Sequence, residues 1–594
     1  MRSRSKHLRG QGVLKTAPGR ARWGVALVAL VAACGSSGTT LSSSSGTTGA
    51  ATTGGEASSG GTGGGGGSGV TVAPAVTIGW HDLSAKLGLA GLESRCATVS
   101  LADLDGDGAP DLVLPDTGEV RLYRNDGAGH FALWSTVPVP KIAPLETICA
   151  TAIADLDGDG RRDVVVGLDH NALSTGVAVL FNDGAGAFTA VEAELPQTGL
   201  EFMSGVTPGL SIFSIAVAQA AGHPTMILVG NNVDGAAGMV DMATCTYDER
   251  AINVECTTPI LAPSSTAFRV PTGMRTLEPV TDAVLTTKGN AQAFGASDFD
   301  GDGDDDLLVA VDFLPQRALR SQGATFTNAS TAWGIDHFGH GMGVALGDID
   351  DDGVTDAVIS TLGGFLDFKG HGAAGFELRD TVSPYETRRR SIWPFSTLFV
   401  DLDNNGHLDL LAINEFASTK PDPLQWMLQL GGPADYLGAF NTVIYKDSDT
   451  EYREAHVPYA AQLSGHGRGR SVAVADLDGD GHLELAMLLV RASDKTKTDL
   501  VVGQLSGGTL GHGLTVRLDA RAGQGTRVTL TCGGRKQMRE IYGAEGMGAA
   551  ARTDAHFGCG AATTYEALRV EPRGHEAIDL PGGQLDTAVF VKVP

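Results

Sequence analysis

The sequence predicts an all-β molecule, a seven-bladed β-propeller followed by a small C-terminal β-domain, and three observations carry that prediction. An acidic nine-residue turn recurs six times between residues 103 and 484, and every copy runs straight into a short apolar segment. After Gly507 the acidic turns cease and alternating Val, Leu and Thr take over, the period-2 pattern of half-buried strands.

The six copies read Asp-x-Asp-x-Asp/Asn-Gly-x-x-Asp/Glu. In a tight turn alternate residues point inward, so positions 1, 3 and 5 offer side-chain oxygens to one hard cation. Gly at position 6 permits the sharp bend, the position 7 carbonyl adds a ligand, and the acid at position 9 closes the shell. The predicted donors are Asp103, Asp105, Asp107 and Asp111; Asp155, Asp157, Asp159 and Asp163; and Asp298, Asp300, Asp302 and Asp306. In the second half they are Asp348, Asp350, Asp352 and Asp356; Asp401, Asp403, Asn405 and Asp409; and Asp476, Asp478, Asp480 and Glu484. All-oxygen sets without His or Cys favour Ca2+ over zinc or copper, and Mg2+ prefers a smaller, more hydrated shell. About six Ca2+ per chain are expected. Without metal, each carboxylate pair about 5 Å apart repels by roughly 3 kcal/mol at an effective dielectric of about 20. Acids that merely cap solvent turns are the alternative, but turn capping does not require the full donor set.

An EF-hand or dockerin loop carries an acid at position 12 and enters a helix. Here position 12 is Leu114, Val166, Val309, Ile359, Ala412 or Met487, so each turn joins two strands. Turn starts lie 52, 143, 50, 53 and 75 residues apart. Within the long gap, Ser214 to Gly230 has the strand, turn, strand outline without acids and is counted as a blade that has lost its metal. Seven units over residues 75–505 leave about 60 residues each, enough for four strands and their loops. Leu122–Phe131 and Val179–Phe188 both carry Asn-Asp-Gly between apolar residues, a hairpin signal.

These turns and hairpins resemble the FG-GAP or VCBS repeats of integrin-α-type propellers. The stretches Leu514–Leu518, Gly525–Thr531, Gln537–Ile541, His556–Gly560 and Leu568–Gly574 resemble the ASPIC/UnbV domain that follows such repeats in cartilage-acidic-protein-like chains, as does Gly339–Asp348 the propellers of those chains. Two departures are visible: Cys559 replaces an apolar residue in the His-Phe-Gly-x-Gly turn, and Glu571 stands where an aromatic residue is usual. His556 is read as fixing a turn, because no second His, Cys pair or acid stands at ligand spacing from it; a ligand or a general base is the alternative.

Residues 1–33 carry seven basic residues, no acids and the apolar run Val25–Ala33, which is short for a membrane span and reads as a signal peptide. Val31-Ala32-Ala33-Cys34 resembles a bacterial lipobox, with Cys34 the lipidated residue; a plain secretory signal cut nearby is the alternative. Residues 34–74 then form a Gly/Ser/Thr-rich tether, 75–505 the propeller and 506–594 the ASPIC/UnbV-like domain. The expected location is an outer membrane or cell surface, with the N-terminal lipid as the sole membrane contact. Six cysteines follow, and the preferred pairs are Cys96 with Cys149, Cys245 with Cys256 and Cys532 with Cys559; buried free thiols are the alternative.

Acids outnumber Lys and Arg by 69 to 43, and loss of the leader moves the formal charge from −26 to −33. Such a balance excludes a nucleic-acid partner in favour of cations. The sequence holds no His-Glu-x-x-His, P-loop, Gly-x-Ser-x-Gly elbow or Cys/His nucleophile arrangement. The expected function is therefore calcium-dependent adhesion, scaffolding, or binding of a surface protein or glycan. The alternative is a polysaccharide lyase or hydrolase on a propeller scaffold; Arg388–Arg390 near Trp393 would serve an acidic glycan or form a solvated basic turn.

Overall fold

The computed structural model describes residues 71–594 other than 78, 97, 140–149, 171–173, 197–209, 234–244, 249–252, 257–264, 286–288, 313, 362–363, 380–393, 415–441, 449–450, 457–465, 492–493, 507–509, 547 and 549–551. The leader, Cys34 and most of the tether lie outside the described residues, as do Cys149 and Arg388–Trp393.

Seven sheets follow one another along the chain, built from strands adjacent in sequence order except for the two strands that residues 71–82 add to the last two sheets. Blade 1 is Ser100–Ala102, Asp111–Asp116, Glu119–Asn125 and Phe131–Pro138; blade 2 is Thr151–Ala154, Asp163–His170, Ser174–Gly184 and Ala187–Pro196. Blade 3, the one without acids, is complete: Leu210–Ala218, Thr225–Val233, Ser265–Val270 and Glu278–Val280. A separate hairpin, Cys245–Asp248 with Asn253–Cys256, interrupts it, and its register sets Cys245 across from Cys256. Blade 4 is Asn290–Ser297, Asp306–Asp312, Arg317–Ser321 and Phe326–Asn328, and blade 5 is Gly343–Gly347, Asp356–Thr361, Gly364–Gly370 and Phe376–Leu378. Blade 6 comprises Pro394–Val400, Asp409–Asn414, Thr442–Lys446 and Glu451–His456, with Thr71–Thr77 added parallel to its outer strand. That added strand begins inside the span read as tether. Blade 7 takes His466–Ala475, Glu484–Arg491 and Asp494–Ser506 from the end of the repeat region and Gly79–Asp82 from its start.

The apolar runs after each turn have no period because both faces of those strands are buried. Alternate residues face alternate neighbours: Leu112 and Leu114 pack into the cluster shared with blade 7, whereas Val113 packs into the cluster shared with blade 2. Val165, Leu307 and Leu308 are divided between neighbours in the same way. Further clusters join blades 5 and 6 through Val358 and Phe399, and blades 6 and 7 through Leu411 and Val474. Because Leu101 of blade 1 shares a cluster with Leu488 of blade 7, consecutive contacts run through all seven sheets and back to the first.

Residues 510–594 form a β-domain of two sheets: Asp554–Gly558, Gly513–Leu518 and Thr587–Val591 in one; Arg535–Glu540, Arg527–Cys532, Thr564–Glu571 and Ile578–Gln584 in the other. Leu514, Val516, Leu530, Phe557 and Val570 fill the space between them. The Cys532–Cys559 disulfide ties the sheets together; Cys96 is also disulfide-bonded.

Candidate metal centres and the domain that covers them

Each acidic turn closes on its own backbone before any partner is considered. The first carboxylate accepts the N–H of position 6 with one oxygen: Asp103 from Gly108 at 3.0 Å, Asp155 from Gly160 at 2.8 Å, Asp401 from Gly406 at 2.8 Å and Asp476 from Gly481 at 3.1 Å. Position 5 accepts the N–H of position 7, as Asp107 does from Ala109 at 2.8 Å and Asn405 from His407 at 2.7 Å. Position 4 is left-handed in all six turns. Gly106, Gly158, Gly301 and Gly479 fill it at φ between 77° and 80°, whereas Asp351 and Asn404 adopt 57°, a conformation that Asp and Asn tolerate better than other side chains.

The acid at position 9 does more than the sequence predicts. One oxygen of Asp111 accepts the N–H of Leu104 in the turn and the other that of Asn125 at the end of the third strand, both at 2.9 Å. The same pair of bonds recurs at Asp163, Asp306, Asp356 and Asp409. Position 9 therefore pins each turn to its sheet. Burial pushes these acids up, Asp111 and Asp306 to about 8, Asp163 to about 7 and Glu484 to about 9. Desolvation is the largest cause, and neighbouring carboxylates add to it at all four.

The donor sets fit a hard divalent cation. Three carboxylates offer oxygens within 4.8 Å of one another at Asp103/Asp105/Asp111, Asp155/Asp157/Asp163 and Asp401/Asp403/Asp409. At Asp298/Asp300/Asp302 and Asp348/Asp350/Asp352 the converging acids are positions 1, 3 and 5 instead. Ca2+ bound there would be held by carboxylate and carbonyl oxygens and would supply cross-linking charge to the turn.

A second element of each site is absent from the repeat pattern. A basic side chain sits on the outward oxygens of positions 3 and 5: Arg124 on Asp105 and Asp107, Arg320 on Asp300 and Asp302, Lys369 on Asp350 and Asp352. These three follow their first Asp by 21 or 22 residues, a spacing that carries a signal once the strand register is known. In blades 2 and 6 that register holds Phe181 and Tyr445. There Arg275 and Arg453 arrive from elsewhere, stack on those rings with centroid distances of 5.4 and 4.4 Å, and reach Asp157 and Asp403.

The six turns share one face, and the C-terminal domain lies on it. Phe590 packs where a side chain on Gly108 would go, and the Arg521 guanidinium lies over Gly160. Arg162, buried at position 8 of the second turn, donates to Asp103 O at 3.1 Å and to Leu518 O at 2.7 Å. Asp305 pairs with Arg573 at 2.7 Å, Asp351 with Arg535 at 2.6 Å, and Arg517 donates to Asp476 O at 2.8 Å. At the fifth turn Gly558 N–H donates to Asp401 Oδ2 at 3.0 Å, and His556 Nε2 lies 2.7 Å from Asn404 Oδ1. His556 thus sits in a strand, not a turn, with Thr515 on its other nitrogen at 3.0 Å. Burial, reinforced by Arg539 and Arg552, pushes it down to about 3, so it serves as a neutral hydrogen-bonding bridge.

From this domain Ile541–Gly546, Gly548 and Arg552 reach the first strands of the blades, which line the inside of the ring. Gly543 N–H donates to Ala296 O at 3.0 Å, Gly546 N–H to Val344 O at 2.6 Å, and Arg552 to Phe399 O at 2.8 Å. In return Val217 N–H donates to Gly543 O at 3.3 Å and Thr151 N–H to Gly548 O at 2.8 Å. Five blades are thereby bonded to one short segment.

Comparison with known proteins identifies both parts of the chain. The chain matches the FG-GAP-like repeat family over residues 103–166 and 298–359, and the ASPIC and UnbV family over residues 517–576. It carries FG-GAP-like repeats and an ASPIC/UnbV domain. No curated protein matches it. Among solved structures it is similar to BBS1N in complex with ARL6DN, at 10% identity over 72% of this chain and 98% of that one with a TM-score of 0.37. An Agrocybe aegerita protein described by its recognition of non-reducing terminal N-acetylglucosamine shares 16% identity over 68% and 93%, TM-score 0.37. Saccharomyces cerevisiae Sqt1 shares 9% over 77% and 99%, TM-score 0.35. At these TM-scores the likeness carries no argument.

Proposed function

We propose that the chain is an exported, calcium-binding propeller that works at the cell surface in adhesion, protein or glycan binding, or scaffolding. The observation that carries this reading is the six-fold recurrence of one oxygen-rich turn on a seven-bladed ring, because rigid scaffolds with loaded turns commonly present binding loops. FG-GAP-like repeats with an ASPIC/UnbV domain are typical of extracellular or surface proteins. Since the chain's own C-terminal domain covers the turn face, a partner is expected at the opposite face or the blade edges.

Elemental analysis of the mature protein after gel filtration tests the cation content; about six Ca2+ per chain are expected, and one or two would sink the reading. Binding to cells and glycan arrays, with Ca2+ and with chelator, tests the role. Turnover of a polysaccharide that a single loop substitution abolishes while calcium content stays constant would replace the binder by an enzyme. Lipidation at Cys34 has its own readout: Cys34→Ser should abolish fatty-acid labelling and release the protein from membranes.

A further inference from the structure

We infer that the turn face is a docking surface for the chain's own C-terminal domain whose grip is set by cation loading, which makes residues 510–594 a cation-gated cap on the ring. This inference rests on the calcium reading proposed above.

Four kinds of contact fasten the domain to parts of the turns whose position depends on the donors. A first-position carboxylate, Asp401, accepts Gly558 N–H. First- and third-position carbonyls accept Arg517, at Asp476, and Gly511 N–H, at Asp403, each at 2.8 Å. Position 4 carries Asp351 and Asn404, the two turns that forgo glycine at a left-handed residue; both side chains reach into the domain, to Arg535 and His556. Position 8 supplies Arg162 and Asp305.

Positions 4 and 8 are not metal donors, so their identities are free to serve docking. The left-handed strain at two non-glycine residues is offset by the bonds these side chains make. A turn whose clustered carboxylates lack a cation is pushed apart by their mutual repulsion, and the carbonyls and position 4 side chains move with it. The domain then loses registered partners on several turns together, and Gly543 and Gly546, which it carries onto the inner strands, lose the support that keeps their N–H groups on Ala296 O and Val344 O. Coupling of this kind is reciprocal: docking that favours the ordered turn must tighten its cation by the same factor.

Hydrogen exchange of the peptide spanning residues 541–546, in the intact mature protein, tests the inference. Gly543 and Gly546 amides are expected to be protected in Ca2+ and to exchange roughly tenfold faster, or more, in chelator. The Asp351→Gly/Asn404→Gly variant keeps every donor and accepts the positive φ without strain. It should retain about six Ca2+ yet show the same acceleration with Ca2+ present, a result that global unfolding of a metal-free protein does not mimic. Calcium bound in full with equal protection in chelator, or a double variant protected like the parent, overturns the cap and leaves the calcium reading standing. Absence of bound calcium overturns both.

Discussion

At the scale of single residues the position 9 acids separate two roles that the repeat pattern merges. Asp111 is read from sequence as the last metal donor, yet both its oxygens already hold backbone N–H groups of the turn and the third strand. Asp111→Ala leaves two buried N–H groups unsatisfied at about 1–3 kcal/mol each. A loss of about 2–6 kcal/mol is expected in urea unfolding even with chelator, and a variant as stable as the parent there would reduce the residue to a metal donor alone. The same acids set a pH dependence. Their folded values are raised, to about 8 at Asp111 and about 9 at Glu484, so the metal-free fold binds more protons than the unfolded chain. The stability this provides is fully present below about pH 4, near the unfolded carboxylate values, and is lost as pH rises through 7 to 9. Melting in chelator should therefore fall between pH 5 and pH 8.5, and Ca2+ should abolish or reverse the trend because protons compete with it.

At the scale of elements, the C-terminal domain holds itself together before it caps anything. Cys532 and Cys559, 27 residues apart, join two sheets whose shared core is small, and closing a loop of that length stabilises by about 3 kcal/mol in the chain-entropy view. Replacing both with Ser should lower the melting transition of residues 510–594 by that order in differential scanning calorimetry. An unchanged transition would show that the sandwich core suffices. Strand patterning made this domain legible, since Val528 and Leu530 alternate with outward residues as a one-sided sheet requires. The blade strands were legible for the opposite reason, an unbroken apolar run in each after the turn.

At the scale of the whole molecule, ring closure depends on a strand far from its partners in sequence. Gly79–Asp82 completes blade 7 by pairing with Asp494–Ser506, and Gly503 stands opposite Asp82 where the two strands meet. A side chain there would stand 2.3 Å from His81 O and 2.6 Å from the Trp80 ring. Gly503→Val should expel the N-terminal strand, destabilising the ring by at least the roughly 1–3 kcal/mol of an overpacked site, and Trp80 fluorescence should shift to the red. Gly364→Ala, with open space around it and no positive φ, is the control and should leave both readouts unchanged. An unshifted Trp80 in the Gly503 variant would mean that closure does not rely on this strand.

By itself the sequence determined the six acidic turns, the strand after each and the blade that lacks acids, because each of these is set by residues within about a dozen positions of one another. Only the tertiary structure decided which groups meet across the chain. The basic residues on the carboxylates depend on strand register, as Arg124 shows beside Asp105 and Asp107. Phe181 and Tyr445 occupy that register in two blades, so no pattern of residue type reveals it. His556 reads as a turn residue until Asn404, 152 positions away, takes its proton-bearing nitrogen. The covering of the turn face has the same origin: carbonyl and N–H groups, which every residue carries, make many of its bonds, and a sequence does not mark which of them will find each other.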